Sequence, residues 1–181
     1  MSEHHAPLIQ IVDAHDNPLR GGTMDEAQLQ GLWHRMVGVM VWDSVAGKFL
    51  LQKVKPNRFY SGDSWNLTSS GHVDAGETYE GAALRELREE MGIRGLELVD
   101  FSHYTTERTG FSAGKNRTWR RHNKIFIAQA DKDALQITPS DEVEAWCWMD
   151  LSQLRDDSVP KTRMLARFAK DWVEKNDIIN P

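Results

Sequence analysis

The chain has 181 residues, of which 40% are hydrophobic and 27% charged, a composition typical of a globular protein with a substantial core. Its formal net charge of −5 argues against a general nucleic-acid binder, and no apolar run reaches the length of about 18 residues that a membrane-spanning helix needs. The single cysteine, Cys147, excludes an internal disulfide and suits a reducing compartment. The first residues lack the apolar core of a signal peptide, so we expect a cytoplasmic protein without a membrane or nucleic-acid partner.

The first predicted elements are a hairpin and a short helix over residues 8–31. Residues 8–12, four of which are apolar, predict a strand. Residues 16–18 (Asp-Asn-Pro) predict the turn after which the chain returns as a second strand. Thr23 and Glu26 have the spacing of a capping box, so we expect a short helix to begin there. This segment precedes a predicted core domain over 32–155.

Two predicted strands, 35–42 and 49–54, come next and are followed by a loop. The first is an apolar run of strand length, which predicts a central strand. Lys53 and Arg58 lie beside or within the loop, where they could steer a diphosphate. The alternative is that these cations are simply solvated. Residues 65–68 predict a short strand that leads into the next segment.

The most informative stretch is 71–93, where Glu86, Glu89 and Glu90 fall at helical offsets of zero, three and four. On a helix that turns roughly 100° per residue, the three carboxylates share one face. Like charges at these offsets repel by about 0.2–0.5 kcal/mol per pair, so the cluster is favoured where a cation lies among the carboxylates. Hard Mg²⁺ and Mn²⁺ ions prefer such oxygen ligands. The opposite face carries apolar residues that we expect to reach the core: Leu84, Leu87 and Met91.

The same stretch fits the spaced pattern G-x5-E-x7-R-E-U-x-E-E-x-G-U at every specified position, where U is aliphatic. Gly71 and Glu77 fill the first two positions, and 85–93 fill the rest. The chain therefore resembles Nudix hydrolases, which cleave a nucleoside diphosphate linked to another group. The resemblance implies that Mg²⁺, or alternatively Mn²⁺, is held by Glu86, Glu89, Glu90 and the carbonyl of Gly71. The three glutamates are also the predicted catalytic residues, and which of them acts as the base stays open.

Beyond this stretch, 96–106 predicts a strand that is interrupted by 108–114. The chain then becomes strongly basic up to Lys124. We expect cations of this segment to hold the distal phosphate or the leaving group and an indole ring to stack on a base. The alternative is a hairpin with a solvated basic edge. The candidates are Arg117, Trp119, Arg120 and Arg121.

The C-terminal part predicts a last strand and a closing helix. Glu142 and Glu144 lie in the predicted strand and are candidates for an additional metal ligand or base. Cys147, in the same strand, has the setting of a packed thiol. Apolar residues at helical spacing predict a helix within 156–181. The whole chain, 1–181, is then one domain of the α+β class, and the resemblance implies a Nudix α/β/α sandwich with a mixed sheet and an N-terminal hairpin extension.

The layout of the N-terminal part is similar to that of Nudix proteins related to isopentenyl-diphosphate isomerases, so an isomerase is the main alternative to a hydrolase. Those isomerases place a cysteine just before the Gly-His of the box, where this chain has Ser70. They also build a second metal site, of which His34 and His72 are the counterparts here. Its downstream glutamates align near His122 and Lys124, and a lysine would repel a cation. A non-catalytic nucleotide-sensing module is the third alternative. For any of them we expect a small-molecule diphosphate as the partner and a monomer or homodimer.

Overall fold

The sheet is built around one long central strand, β3 (Trp33–Asp43). The structure is a computed structural model that describes residues 8–56, 62–156 and 163–176. Every residue of β3 from Val37 onward is buried, which explains the uninterrupted apolar run in the sequence. Side chains alternate between the two faces of a strand, so both faces of β3 are covered by other parts of the protein.

Both edges of β3 are paired. One edge pairs in parallel with β7 (Lys115–Gln129), from Trp33 opposite Arg120 to Trp42 opposite Gln129. The other edge is shared by three antiparallel partners in succession: β1 (Ile9–Val12), β5 (Ser69–His72) and β4 (Lys48–Val54). Three further strands extend the sheet outward on β1, β4 and β7 respectively: β2 (Pro18–Gly22), β8 (Val143–Asp150) and β6 (Leu98–Ser112).

Helices cover both faces of this mixed sheet. Helix α2 (Tyr79–Met91) packs on the face formed by Val37, Val39 and Val41, whereas α3 (Leu151–Arg155) and α4 (Arg163–Lys175) pack on the opposite face. A fourth helix, α1 (Met24–Gln30), lies against β7. The predicted α+β sandwich with an N-terminal hairpin is confirmed. None of the helices in the described ranges is long and apolar enough to cross a membrane.

Local capping determines the bounds of α2. The hydroxyl of Thr78 accepts a hydrogen bond from the N–H of Gly81 at 3.0 Å, and Gly92 ends the helix with a φ of 69°. A Cβ atom at Gly92 would lie 2.6 Å from the carbonyl oxygen of Thr138, so both the left-handed backbone and the available space require glycine there. The sequence predicts a helix over about 78–91, and the observed bounds agree with this within one residue.

The apolar face of α2 differs from the prediction. Leu87 and Met91 are buried, but Leu84 is 39% exposed, and the core is completed instead by Ala82 and Ala83. The small alanine side chains let the helix approach the valine face of β3 closely. The prediction that Leu84 belongs to the core was wrong because side-chain size and helix rotation, rather than hydrophobicity alone, decide which residues face the sheet.

The predicted interruption of the strand after residue 106 is also absent. Strands β6 and β7 form one continuous hairpin whose paired register runs from Leu98 opposite Ala128 to Ser112 opposite Lys115. Ala113 and Gly114 make the turn with φ values of 49° and 76°. Cross-strand ion pairs such as that of Arg120 with Glu107, at 2.9 Å, support the charged part of the hairpin. The basic segment is therefore a strand and not a loop.

Candidate active site

Two of the box glutamates contact adjacent residues of β5. The carboxylate of Glu86 lies against the backbone of Gly71, since a Cβ atom built at Gly71 would be 1.9 Å from its Oε1. Oε2 of Glu90 accepts a hydrogen bond from the backbone N–H of the preceding residue, Ser70, at 3.0 Å. The helical offset of four brings both carboxylates to the same edge of β5.

Glu90 is held by a second donor and has an altered acidity. The side-chain amide of Gln52, which is fully buried on β4, donates to Oε2 of Glu90 at 2.7 Å. Burial raises the pKa of Glu90 to about 7, although both hydrogen bonds favour the charged form. Burial likewise raises the pKa of Glu86, against the opposing effect of Arg85. Both carboxylates are therefore poorly solvated and would be stabilised by a nearby cation.

Arg85 connects the loop before α2 to the glutamates. Its guanidinium donates to both carboxylate oxygens of Glu77 at 3.1 and 3.0 Å, to the backbone carbonyl of His72 at 2.8 Å and to Glu86 at 2.7 Å. Glu77 in turn accepts from the backbone N–H of Asp74 at 3.1 Å. The hydrogen bonds to Glu77 are the main reason why the pKa of Arg85 is raised, so the side chain stays charged. Two positions of the box pattern, Glu77 and Arg85, are thus joined by an ion pair.

Glu89 lies apart from this arrangement. Its side chain is 52% exposed and contacts Arg85 and Arg88 at 3.4 Å each. In the part of the chain that the structure describes, the three box glutamates do not bring their oxygens within 4.8 Å of one another. Glu89 can still contribute through a water molecule, because Mg²⁺ usually retains several waters in its coordination shell.

The donors at β5 fit a hard divalent cation. They are all oxygens: the carboxylates of Glu86 and Glu90, with Glu89 at the solvent side, and the backbone of Gly71 where no side chain intervenes. Asp74, whose pKa is raised mainly by burial, adds negative charge close to Arg85 and Glu89. This donor set matches Mg²⁺ or Mn²⁺ better than metals that favour nitrogen or sulfur ligands.

A cleft of about 240 Å³ lies on the opposite face of the sheet from α2. Ser70 lines it and, through its backbone contact with Glu90, joins the cleft to the carboxylates. Much of the lining is apolar, from Met36, Leu67, Tyr104, Ile125, Met164 and Phe168. A neighbouring cleft of about 580 Å³ is lined by His72, Arg108 and Trp119 among others. Arg121 lines both clefts and connects them.

Arg121 is the basic candidate best placed for an anion. Its Nε atom is buried and has no hydrogen-bond partner among the described residues. Burial lowers the pKa of Arg121, with the charge of Arg108 acting in the same direction. A buried guanidinium with unused donors is costly unless an anion binds it.

The other predicted substrate-binding residues differ in their surroundings. Arg117 is 5% exposed and pairs with Asp25 at 2.7 Å and with the side chain of Gln28 at 3.1 Å, so the structure ties it to α1. Arg120 pairs with Glu107, as described above, and Trp119 packs under Arg108 at 5.0 Å. Lys53 lies over the ring of Trp65 at 5.1 Å. Arg58 lies outside the described residues.

The two histidines that the isomerase hypothesis assigns to a second metal site, His34 and His72, are in contact with each other. The rings of His34 and His72 stack with centroids 5.4 Å apart, and Nδ1 of His34 bonds the carbonyl of Leu32 at 3.1 Å. Burial lowers their pKa values to about 4 and about 3, so both are neutral near pH 7. Register between β3 and β7 places Arg121, rather than His122, opposite His34. The positive charge of Arg121 further lowers both pKa values.

The candidate residues that follow β7 affect the site only weakly. The charge of Glu142 contributes to the raised pKa of Glu90, whereas Glu144 is exposed on β8. Burial raises the pKa of the Cys147 thiol to about 11, which keeps it protonated and unreactive near neutral pH. Sequence reasoning did not identify Gln52, because nothing in its local pattern distinguishes it from any other strand residue.

The chain is similar to known proteins in both sequence and structure. A family model described as the NUDIX domain matches residues 32–169. The chain is 31% identical over 148 residues to isopentenyl-diphosphate Delta-isomerase 2 of Photorhabdus laumondii, covering 82% of this chain and 80% of that protein. It is 34% identical over 128 residues to an uncharacterised Nudix hydrolase of Pseudomonas aeruginosa, covering 70% and 69% respectively.

Among solved structures, the dihydroneopterin triphosphate pyrophosphohydrolase of E. coli superposes with a TM-score of 0.59 at 22% identity, over 78% of this chain and 95% of that one. The protein DR0079 of Deinococcus radiodurans superposes with a TM-score of 0.63 at 18% identity, over 90% of this chain and 97% of that one. These structural likenesses show the fold. With the complete box and the match over 32–169, the chain belongs to the Nudix family.

Proposed function

We propose that this protein is a metal-dependent pyrophosphohydrolase that cleaves the diphosphate of a nucleoside-diphosphate-X compound or a similar small organic diphosphate. The observation that carries the proposal is the contact of Glu86 and Glu90 with the adjacent β5 residues Gly71 and Ser70. Two poorly solvated carboxylates beside the backbone of a glycine form a suitable binding site for Mg²⁺, with Mn²⁺ as an alternative. Gly71, Glu86, Glu89 and Glu90 are the proposed ligands.

The residues around this proposed metal site have distinct roles in the proposed reaction. When bound, Mg²⁺ neutralises charge on the phosphoryl oxygens and lowers the pKa of a coordinated water. Arg85 fixes the orientation of Glu86, and Gln52 and Ser70 fix that of Glu90. A carboxylate of this group accepts the proton of the attacking water. Positioning of this kind is the main contribution of a protein to phosphoryl transfer.

The cleft suggests how the rest of the substrate binds. Arg121 offers unused donors to a phosphate, since it has no ion pair within the described ranges, whereas Arg117 and Arg120 already bond to acidic partners. We assign the phosphate contact to Arg121 on this ground. The apolar lining next to Arg121 and Ser70 suits a substrate whose X group is partly apolar, and Trp119 in the neighbouring cleft can stack on a planar group.

An isomerase is the second candidate, because several relatives at about 30% identity carry the name isopentenyl-diphosphate Delta-isomerase. Two features of this chain oppose it. Ser70 occupies the position that the related isomerases fill with a cysteine, and a hydroxyl is a much weaker acid than a thiol. In addition, the guanidinium of Arg121 lies near His34 and His72, where a second cation would be repelled.

The proposal is tested by giving the protein Mg²⁺ and a panel of nucleotide sugars, dinucleotides, nucleoside triphosphates and prenyl diphosphates, and measuring phosphate or pyrophosphate release. Isopentenyl diphosphate is followed separately by NMR of its carbon skeleton. We expect hydrolysis of at least one diphosphate and no double-bond shift. Formation of the dimethylallyl isomer at enzymatic rates would replace the hydrolase by the isomerase.

A further inference from the structure

A second group of potential metal ligands lies outside the carboxylate site. Asp16, His103 and His122 each present one ligand atom, and these atoms all lie within 4.8 Å of one another. Asp16 is in the turn between β1 and β2, His103 is on β6 and His122 is on β7. No other trio of histidine, cysteine or acidic residues within the described ranges reaches this spacing.

The sheet register explains why the two histidines meet. His103 pairs with Lys124 and Thr105 pairs with His122, so the histidines are diagonal neighbours on one face of the β6–β7 hairpin. Their ring centroids are 5.7 Å apart. In the parallel pairing of β7 with β3, His122 lies beside Arg35, so both side chains are on the same face of the sheet. The side chain of His34 is on the other face. This group is therefore distinct from the stacked pair of His34 and His72.

His122 supplies the observation that points to a ligand. The residue is 4% exposed, and its Nε2 atom is buried without a hydrogen-bond partner among the residues described. An imidazole nitrogen left without a partner in the interior costs free energy, which coordination of a metal would recover. The contacts of the His122 ring are aromatic, to Trp33 at 5.0 Å and to His103.

Asp16 is held in place by hydrogen bonds of the kind that orient metal-binding carboxylates. Arg35 donates to Oδ1 at 2.7 Å, and the hydroxyl of Tyr79 donates to Oδ1 and Oδ2 at 3.2 and 3.1 Å. Oδ2 lies 3.8 Å from Nε2 of His103. The φ of 67° at Asp16, a left-handed conformation uncommon outside glycine, is part of the backbone that brings the carboxylate inward.

The charges around the trio restrict which cation fits. Arg35 bonds to Asp16, and Lys124 lies close enough to His103 to lower its pKa, although Lys124 is itself paired with Asp100. With two cationic side chains nearby, a hard ion held by charge alone is disfavoured. A cation with strong affinity for imidazole nitrogen is favoured instead.

We propose that Asp16, His103 and His122 form a binding site for a divalent transition metal of the Zn²⁺ class. Two imidazoles and one carboxylate leave a fourth position for water, and the side chains must close by about 1 Å to reach tetrahedral ligand distances of roughly 2.0–2.1 Å. Because Tyr79 begins α2 and Glu86 follows seven residues later, about 10 Å along the helix, this site is separate from the proposed Mg²⁺ site. Occupancy would tie the β1–β2 turn to the β6–β7 hairpin.

The test is metal binding to the full chain after treatment with a chelator, in excess Mg²⁺ so that the box carboxylates are occupied. Zn²⁺ is counted by equilibrium dialysis, and Co²⁺ is used as a visible-absorption probe of the same site. We expect one Zn²⁺ per chain and at least tenfold weaker binding in His103→Asn, since even outer-shell changes shift metal affinity by about 10- to 100-fold. His103 is 40% exposed, so this variant should fold normally.

Two control variants make the result specific. His15→Asn changes an exposed histidine beside Asp16, and the double variant His4→Asn, His5→Asn removes the histidine pair at the N-terminus. Both should bind Zn²⁺ as the wild type does. Wild-type affinity in His103→Asn, loss of binding in the His4, His5 double variant, or the absence of stoichiometric Zn²⁺ would each overturn the proposal. Binding is read without an activity assay, so failure of the proposed hydrolase function would not affect the result.

Discussion

A Cβ atom at Gly71 would lie 1.9 Å from Oε1 of Glu86, so the carboxylate of Glu86 occupies the space in which another residue would place its side chain. The glycine that opens the Nudix box is thus required by the space that Glu86 occupies. It lets a helical glutamate come into contact with a strand backbone. Every side chain at position 71 would have to displace Glu86 or separate α2 from β5.

Gly71→Ala should therefore reduce turnover by about 100-fold, the usual effect of moving a catalytic group by about 1 Å. We also expect a loss of about 1–3 kcal/mol in the free energy of unfolding, the range for overpacking. Gly110→Ala is the matched control for stability, because its added Cβ would first meet a ring carbon of Trp119 at an ordinary 3.4 Å. A Gly71→Ala protein with normal Mg²⁺-dependent turnover would contradict the importance of this contact.

Glu90→Gln should abolish most of the activity while preserving the fold. The amide keeps the size and helix propensity of glutamate but removes the charge that a cation needs, so we expect turnover to fall at least 100-fold, or about 2.7 kcal/mol of barrier. Because burial raises the pKa of Glu90, removal of its charge should not lower the melting temperature. Glu80→Gln, at an exposed position in the first turn of α2, is the control and should behave like the wild type.

Arg121→Gln should weaken catalysis without weakening the fold. A hydrogen bond to a charged group contributes about 1.5–3 kcal/mol, so kcat/KM should fall by about 10- to 100-fold. Removal of a buried cation that has no ion pair in the described ranges should leave the melting temperature unchanged or raise it. Arg120→Gln is the matched control, because its guanidinium already pairs with Glu107. Equal kinetics of the two variants would return the basic strand to a purely structural role.

The stability of the protein should decrease in mild acid because of His34. Its pKa in the folded state is about 4, below the ordinary value of 6.5. Between these two pH values, His34 is protonated in the unfolded chain but neutral in the folded chain. The contribution of His34 to the free energy of unfolding therefore falls as the pH decreases from 6.5 towards 4, by about 2 kcal/mol at about pH 5.

Denaturant unfolding of wild type and His34→Asn at about pH 7.5 and about pH 5 checks this prediction. The asparagine amide can still donate to the carbonyl of Leu32 but does not titrate, so the loss of stability on acidification should be smaller in the variant by roughly 2 kcal/mol. His15→Asn, at an exposed position, should lose as much stability as the wild type. An identical pH dependence in all three proteins would show that His34 is not the group responsible.

The sequence predicted helix α2 well because its determinants are local. Thr78 and Gly92 fix its ends, and the offsets of Glu86, Glu89 and Glu90 put three carboxylates on one face. The fold class followed from the match to the box and from the apolar runs of the strands. In contrast, the same hydrophobic pattern placed Leu84 in the core, where the structure has alanines, because pattern alone does not measure how closely a helix approaches a sheet.

The sequence alone predicts the box, its helix and three glutamates on one face of that helix. Which cations of the basic segment have an acidic partner depends on the tertiary structure. Among the described residues, Arg117 pairs with α1, whereas Arg121 has no ion pair and lines the cleft. The same is true of Asp16 and His122, which lie far apart in the chain and meet through the pairing of β3 with β7. A helix is fixed by neighbours three and four residues away, but a sheet joins distant segments, so their contacts depend on a register that no local pattern contains.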